Sequence, residues 1–343
     1  MVSELTVILG DFFLPARARQ AVEPSRLPAL ELLLARAQRS RLPGGWRAWL
    51  AHLAAPADLA AMPAPRIAAH AWLDAPPASD AFWFATPVHY LAGIDSVHLH
   101  PAGLLALADE EQTVLAADFN ALYADAPWRL HALGRRELLL RGPRLDASAA
   151  DPGDWAGRDP SGGAPRGADA NTLRRLGSEI EMWLHEHPLN LQRRARSQLA
   201  VTGLWLWGVP DQSDARADAA DRSAPSAART RGAVPVLYGA DLYAEGLWRL
   251  AGLTTHALPD AFDARQVRAD AHSVVLFPVL GTEGLTQLMQ RLEQRWIAPA
   301  LAAVRTGRLA TLQLIAGQCA YRLRRRSLAR FWRARAPWWE AFA

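Results

Sequence analysis

The sequence has no lysine: all 38 of its basic residues are arginine. Beside the abundant alanine, this is read as genomic composition rather than as a functional signal. One cysteine, Cys319, excludes an intramolecular disulfide and fits a reducing compartment. No apolar run approaches the roughly 20 residues that a bilayer-spanning helix requires. The start, MVSELTVILGDFFLP, has an acidic residue where a signal peptide carries positive charge, and it lacks a small-residue cleavage site. A cytoplasmic protein is therefore expected. Net charge is slight: 38 basic against 34 acidic residues, or +4, is too little to argue for nucleic acid.

What the chain does have is length and apolar content. Its 343 residues, half of them hydrophobic, can bury a large core, in one large or two modest domains. Leu5 to Leu9 reads as a buried first strand, with Asp11 just beyond its carboxyl end, where open parallel sheets place ligand groups. A turn aspartate is the plainer reading. Leu27 to Leu53 reads as helices broken at Pro43-Gly44-Gly45, the first running through PALELLLARAQRS. Arg66 to Leu73 fits a strand or a helix equally well.

Phe82 to Leu107 is β-like. It carries His89, His98 and His100, of which the last two share a strand face, and no further ligand follows at metal spacing. Glu110 to Tyr123 reads as a helix with Leu115, Phe119 and Leu122 on one side. RLHAL and ELLL suit a hairpin, and 146–170 a loop. Val234 to Leu237 and Ser273 to Leu280 read as strands around a helix, Leu242 to Leu250, capped by Gly252. A long amphipathic helix from Thr286 to Val304, kinked or split by Pro299, precedes a strand, Arg308 to Gly317, and its hairpin partner, Ala320 to Leu323. The charged stretch Asp211 to Arg231 is expected to be a disordered insertion. Residues 322–343 form an Arg/Trp-rich tail. Arginines interleaved with Phe331 and Trp332 can bind nucleic acid, but the favoured reading lays the aromatics on the domain and leaves the guanidinium groups wet.

The most informative stretch is NTLRRLGSEIEMWLHEHPLNLQRRARSQLAVTGLWLWG, Asn171 to Gly208. Its start has helical apolar spacing, with Asn171 as a cap and Pro188 as the stop. A polar elbow follows, and then the strand Val201 to Trp207. His187, Asn190 and Arg193, with His185 and Glu186 nearby, are candidate anion-binding residues. Arginine can fork two hydrogen bonds onto a phosphate, asparagine can orient an oxygen, and protonated histidine can donate. With even weight, the same groups are structural: His187 in the core, Asn190 closing the turn, Arg193 in an ion pair.

This stretch, from His185 to Gly208, resembles a segment of the archaeal-type cofactor-independent phosphoglycerate mutases. It resembles still more closely a bacterial group called RpfE-type regulatory proteins, which also shows a segment like Pro87-Val88-His89-Tyr90. Gly239 to Leu253 resembles the mutases too. The resemblance implies an α/β fold: a single domain over 1–343, built as a three-layer α/β/α, alkaline-phosphatase-like sheet, mostly parallel, with β-hairpin additions. It also implies a two-metal phosphoryl-transfer site, with ligands at an Asp after strand one, a late Asp/His-rich segment and a late Asp-His pair. Asp11 matches the first as a weak metal candidate. The chain then departs, with FPVLGTEG and Gly317-Gln318 where the other ligands belong. The expectation is a non-catalytic relative with a regulatory or binding role. It has no catalytic residues, no metal and no cofactor. Its partner is a small anionic ligand or another protein, and neither membrane nor nucleic acid is expected. The alternative is an active metal-dependent mutase or phosphatase.

Overall fold

The computed structural model describes residues 4–12, 25–54, 59, 62–93, 96–134, 137–208, 234–263, 272–278 and 285–342. Asp211 to Arg231, the segment expected to be disordered, lies outside them. The chain divides into two compact units. One comprises 1–60, 225–240 and 248–343, the other 61–224 and 241–247.

The strands are β1 (Glu4–Gly10), β2 (Gln38–Arg41), β3 (Asp80–Ala92), β4 (Val97–Leu104), β5 (Arg129–Ala132), β6 (Leu138–Pro143), β7 (Gly203–Trp207), β8 (Pro235–Tyr238), β9 (Thr255–His256), β10 (His272–Pro278), β11 (Thr311–Ala316) and β12 (Cys319–Arg324). The helices are α1 (Pro28–Arg36), α2 (Gly45–Ala54), α3 (Ala64–Ala69), α4 (Asp109–Leu122), α5 (Ala170–His185), α6 (Pro188–Ala195), α7 (Leu242–Leu250), α8 (Leu285–Leu292), α9 (Ala298–Thr306) and α10 (Trp338–Ala341).

The first unit is built on a seven-stranded mixed sheet, in the order β2-β12-β11-β1-β10-β8-β9. β1 lies at its centre, parallel to both β10 and β11. Such a strand is covered on both faces, which is why LTVIL is a continuous apolar run rather than an alternating one. Leu5, Val7 and Leu9 join Leu312 and Leu314 in a core packed with α1, α8 and α9, including Leu30, Met289 and Leu301. On the opposite face, the Trp46 ring of α2 approaches Gly10, and Trp49 meets the His272 ring edge-on at 5.8 Å. Helices therefore cover both faces, and most of the pairings are parallel, as expected. The hairpin β11–β12 and the edge strand β2 are the antiparallel additions.

The second unit carries a separate antiparallel sheet. β4 and β6 share one edge of the long strand β3, and β7 takes the other. The hairpin read from RLHAL and ELLL is β5–β6. Leu115 and Phe119 of α4, Leu176 and Ile180 of α5, and Leu138 and Leu140 of β6 close its core.

Several local expectations are corrected. The first helix stops at Arg36, because Ala37 turns extended (ψ 159) and residues 38–41 pair with β12 instead. Arg66 to Leu73, which fits either element by sequence, begins with the helix α3. Leu122 is 55% exposed, because Tyr123 rather than Leu122 continues the stripe of Leu115 and Phe119. Residues 146–170 hold two short 3-10 turns, Pro152–Trp155 and Pro160–Gly163, each started by an aspartate that accepts a backbone N–H two residues on. Asn171 lies inside α5 rather than at its cap, and its side chain accepts from Arg174 instead. Near Pro299 the long helix neither breaks nor simply kinks. The turn ahead, Glu293–Ile297, widens to a π-helix, which accommodates a proline that has no N–H to donate. Glu293 in that turn caps α1, accepting from the N–H groups of Ala29 and Leu30 at 2.7 and 2.8 Å.

The C-terminal tail departs furthest. Trp338 is its buried anchor, 1% exposed, whereas Phe331 and Trp332 are 78% and 69% exposed. The aromatics expected to pack on the domain stand in water.

Candidate functional site

The elbow after α5 is a helix rather than a polar loop. His187 precedes proline and is extended (φ −66, ψ 132), which ends α5. Pro188 then opens α6 at its first turn, where a missing N–H costs nothing. The His187 Nδ1 accepts from the Leu189 N–H at 3.2 Å, so this ring caps the new helix in the way an aspartate or serine would.

Asn190 lies in the first turn of that helix and is 2% exposed. Its Nδ2 donates to the carbonyls of Leu184 (2.7 Å) and Val201 (2.8 Å), and its Oδ1 accepts from the Val201 N–H at 2.7 Å. One amide thus ties the end of α5 to the residue that leads into β7. Arg193, 3% exposed, donates through Nε to the Leu199 carbonyl at 2.7 Å. Its Nη1 donates to Glu111 Oε2, also at 2.7 Å, in an ion pair whose side chains are 4% and 10% exposed. That Glu111 oxygen also accepts the Ala108 N–H at 2.9 Å, which caps α4.

The histidine is set by its surroundings. Burial holds the His187 imidazole below the usual histidine range, and the Asp118 carboxylate pulls the other way. Its Nε2 lies 3.2 Å from Asp118 Oδ2, near enough for charge attraction but off the line of a hydrogen bond. The Trp183 ring meets the imidazole edge-on at 4.8 Å.

Of the five residues singled out in this stretch, three are brought together and buried. His185, the last residue of α5, and Glu186, which caps its end, are exposed. Glu111 and Asp118, the two acidic partners, escaped the sequence reading. A signal was there: Glu111 falls four and eight residues before Leu115 and Phe119, on the apolar stripe of α4, where an unpaired carboxylate would be costly.

Asp11 is the other sequence candidate. It follows β1 with φ 53, a left-handed conformation that aspartate tolerates better than most residues. Its Oδ1 and Oδ2 accept from Arg47 Nη1 and Nη2 at 2.8 and 2.9 Å, and Oδ1 also accepts from Trp46 Nε1 at 3.0 Å. Both donors come from the first turn of α2. The carboxylate and guanidinium are 12% and 11% exposed.

The neighbouring parallel strands end differently. β10 ends at Phe277-Pro278, and the segment after it lies outside the described residues. Gly317-Gln318 forms the two-residue turn of the β11–β12 hairpin, with Gly317 at φ 55 as such turns demand, and the Gln318 carbonyl accepts the Leu42 N–H at 2.8 Å. Among the described residues no group of three or more His, Cys, Asp or Glu side chains is placed to hold a metal ion. The residues around Asp11 do not fit the two-metal centre that the resemblance implies.

His89 and His100 meet edge-on at 5.6 Å, with His89 Nδ1 2.7 Å from the Ala200 carbonyl oxygen. His98 lies elsewhere, against the Ser96 hydroxyl at 2.9 Å. No helix among the described residues is long and apolar enough to cross a membrane.

Fold and site together define an α/β protein with a seven-stranded, mostly parallel mixed sheet and a separate antiparallel sheet. No family model and no curated protein matches the chain. Among solved structures it is similar to the cofactor-independent phosphoglycerate mutase from Thermoplasma acidophilum DSM 1728, at 15% identity and a TM-score of 0.38, over 94% of this chain and 89% of that one. It is also similar to the PH0037 protein from Pyrococcus horikoshii, at 12% identity and a TM-score of 0.40, over 94% and 87% of the two chains. The likeness is distant.

Proposed function

We propose that this protein is a non-catalytic, phosphoglycerate mutase-like protein that acts by binding, in a regulatory role of the RpfE type. The observation that carries the reading is the Asp11 carboxylate, which stands where the resemblance calls for a metal ligand. Both its oxygens are taken by one guanidinium, and an indole N–H adds a third hydrogen bond. A fixed internal cation meets the charge that a divalent ion would otherwise meet. The turn at Gly317-Gln318 supports the same reading, since it fills the place of an Asp-His pair with residues chosen for backbone geometry.

The ligand class that goes with this role is a small anion or a protein partner. The elbow serves anion binding only if the anion displaces Glu111 from Arg193 or holds His187 protonated against its burial. Calorimetric titration with 3-phosphoglycerate and with sulfate tests that part. Heat that saturates for the wild type and is lost in an Arg193→Ala variant that still melts cooperatively supports it; a flat wild-type titration ends it. The non-catalytic reading is tested by elemental analysis of the purified protein. Less than stoichiometric metal is expected, and about two Mn or Zn ions per chain would overturn it.

A further inference from the structure

The exposed aromatic pair of the C-terminal segment is absorbed by neither the fold nor the proposed function. Arg325–Ala329 forms a 3-10 turn, and Phe331 and Trp332 follow at the next turn. Their rings lie 5.5 Å apart at an interplanar angle of 78°. The segment is held in place: Arg330 Nη1 donates to the Arg36 carbonyl at 3.2 Å, Arg333 Nη1 donates to the Ala37 carbonyl at 3.1 Å, and Arg36 donates back to the Leu328 carbonyl. Arg325, Arg326 and Arg335 are exposed, and no acidic residue occurs between Arg322 and Trp339. The carbonyls of Arg36 and Ala37 lead straight into β2, an edge strand exposed along its length that adds Arg39 and Arg41.

We propose that Arg325–Arg335 is a docking surface for single-stranded nucleic acid, with bases stacking on Phe331 and Trp332 and phosphates meeting Arg325, Arg326 and Arg335. Stacking on aromatic rings inside a positively charged track is how unpaired strands are held without regard to sequence. In this edge-on pair one ring's edge meets only one face of the other, so ring face remains for a base. A duplex offers no unstacked base to this pair. An anionic membrane fits less well. Sinking the rings to acyl depth would carry down the Arg330 and Arg333 guanidinium groups that flank them, and those are tied to backbone carbonyls rather than free to snorkel. The small net charge of the whole chain does not bear on this, because the charge here is local.

The test is fluorescence anisotropy of the full-length protein with a labelled oligothymidine of about 16 nucleotides, between about 50 and about 200 mM salt. Saturable binding that weakens with salt is expected. The double variant Phe331→Ala/Trp332→Ala should weaken it about tenfold or more, with an unchanged melting temperature because both side chains are already in water. The triple variant Arg325→Gln/Arg326→Gln/Arg335→Gln should flatten the slope of log affinity against log salt by about 2, near 0.7 for each phosphate no longer neutralised. Absence of saturable binding, or binding indifferent to both variants, overturns the proposal. So does sedimentation with phosphatidylserine vesicles that needs Trp332 in a protein that ignores the oligonucleotide, since that result assigns the surface to a membrane.

Discussion

Replacing Asn190 with alanine removes three hydrogen bonds at one stroke, and the structure says which of them matter. The Leu184 carbonyl keeps the His187 N–H as a partner at 3.2 Å, so its loss is partial. Val201 is 0% exposed, and its N–H and C=O are both held by the Asn190 side chain. Alanine leaves both groups buried without that partner. A buried polar group left unsatisfied costs about 1–3 kcal/mol, so the two left by Asn190→Ala should destabilise by about 2–6 kcal/mol. Urea denaturation, read by tryptophan fluorescence and by circular dichroism, measures the loss. Asn190→Asp should fare no better, because it places a carboxylate against the two carbonyls that now accept from Nδ2. A loss of less than about 1 kcal/mol for the alanine variant would refute this account of the elbow.

Three further outcomes follow from the same packing and hydrogen bonds. Arg193→Ala strands Glu111 in a nearly dry site and should cost about 3–5 kcal/mol, whereas Arg193→Met with Glu111→Leu should recover much of it in thermal melts. Gly246→Ala should destabilise by about 1–3 kcal/mol, because a Cβ there collides with the Ile67 carbonyl oxygen, a backbone atom; exposed Glu186→Ala, the control, should stay within about 0.5 kcal/mol. Burial lowers His187, His131 and His272, so the folded protein binds fewer protons than the unfolded chain in mild acid. Stability is then complete above the ordinary histidine range and falls as pH drops through it towards the lowered values, a trend that melts between about pH 8 and pH 5 will show; a melting temperature that rises on acidification contradicts it.

The architecture is legible where burial alone dictates residue type. The run from Leu5 to Leu9, the apolar stripe of α5 and the paired strands β5 and β6 are readable because a doubly covered strand, a helix face and a hairpin each leave their own period. What stays illegible depends on partners distant in sequence. Residues 38–41 have nothing strand-like in them and become a strand because β12 offers an edge. His187, Asn190 and Arg193 stand out as a group, yet their chemistry turns on Glu111, Asp118 and Val201, which no local pattern ties to them. Asp11 reads as a candidate ligand because Arg47 is 36 residues away. In the tail, composition favours packed aromatics, and the structure corrects this by burying Trp338 in place of Phe331 and Trp332.

The central claim is that Arg47 and Trp46 have closed the Asp11 carboxylate to metal chemistry. It is tested most directly by assaying the purified wild-type protein for interconversion of 3-phosphoglycerate and 2-phosphoglycerate with saturating Mn²⁺. The account predicts no turnover above the protein-free blank. Turnover in the ordinary enzyme range, about 1–10³ per second, would contradict it.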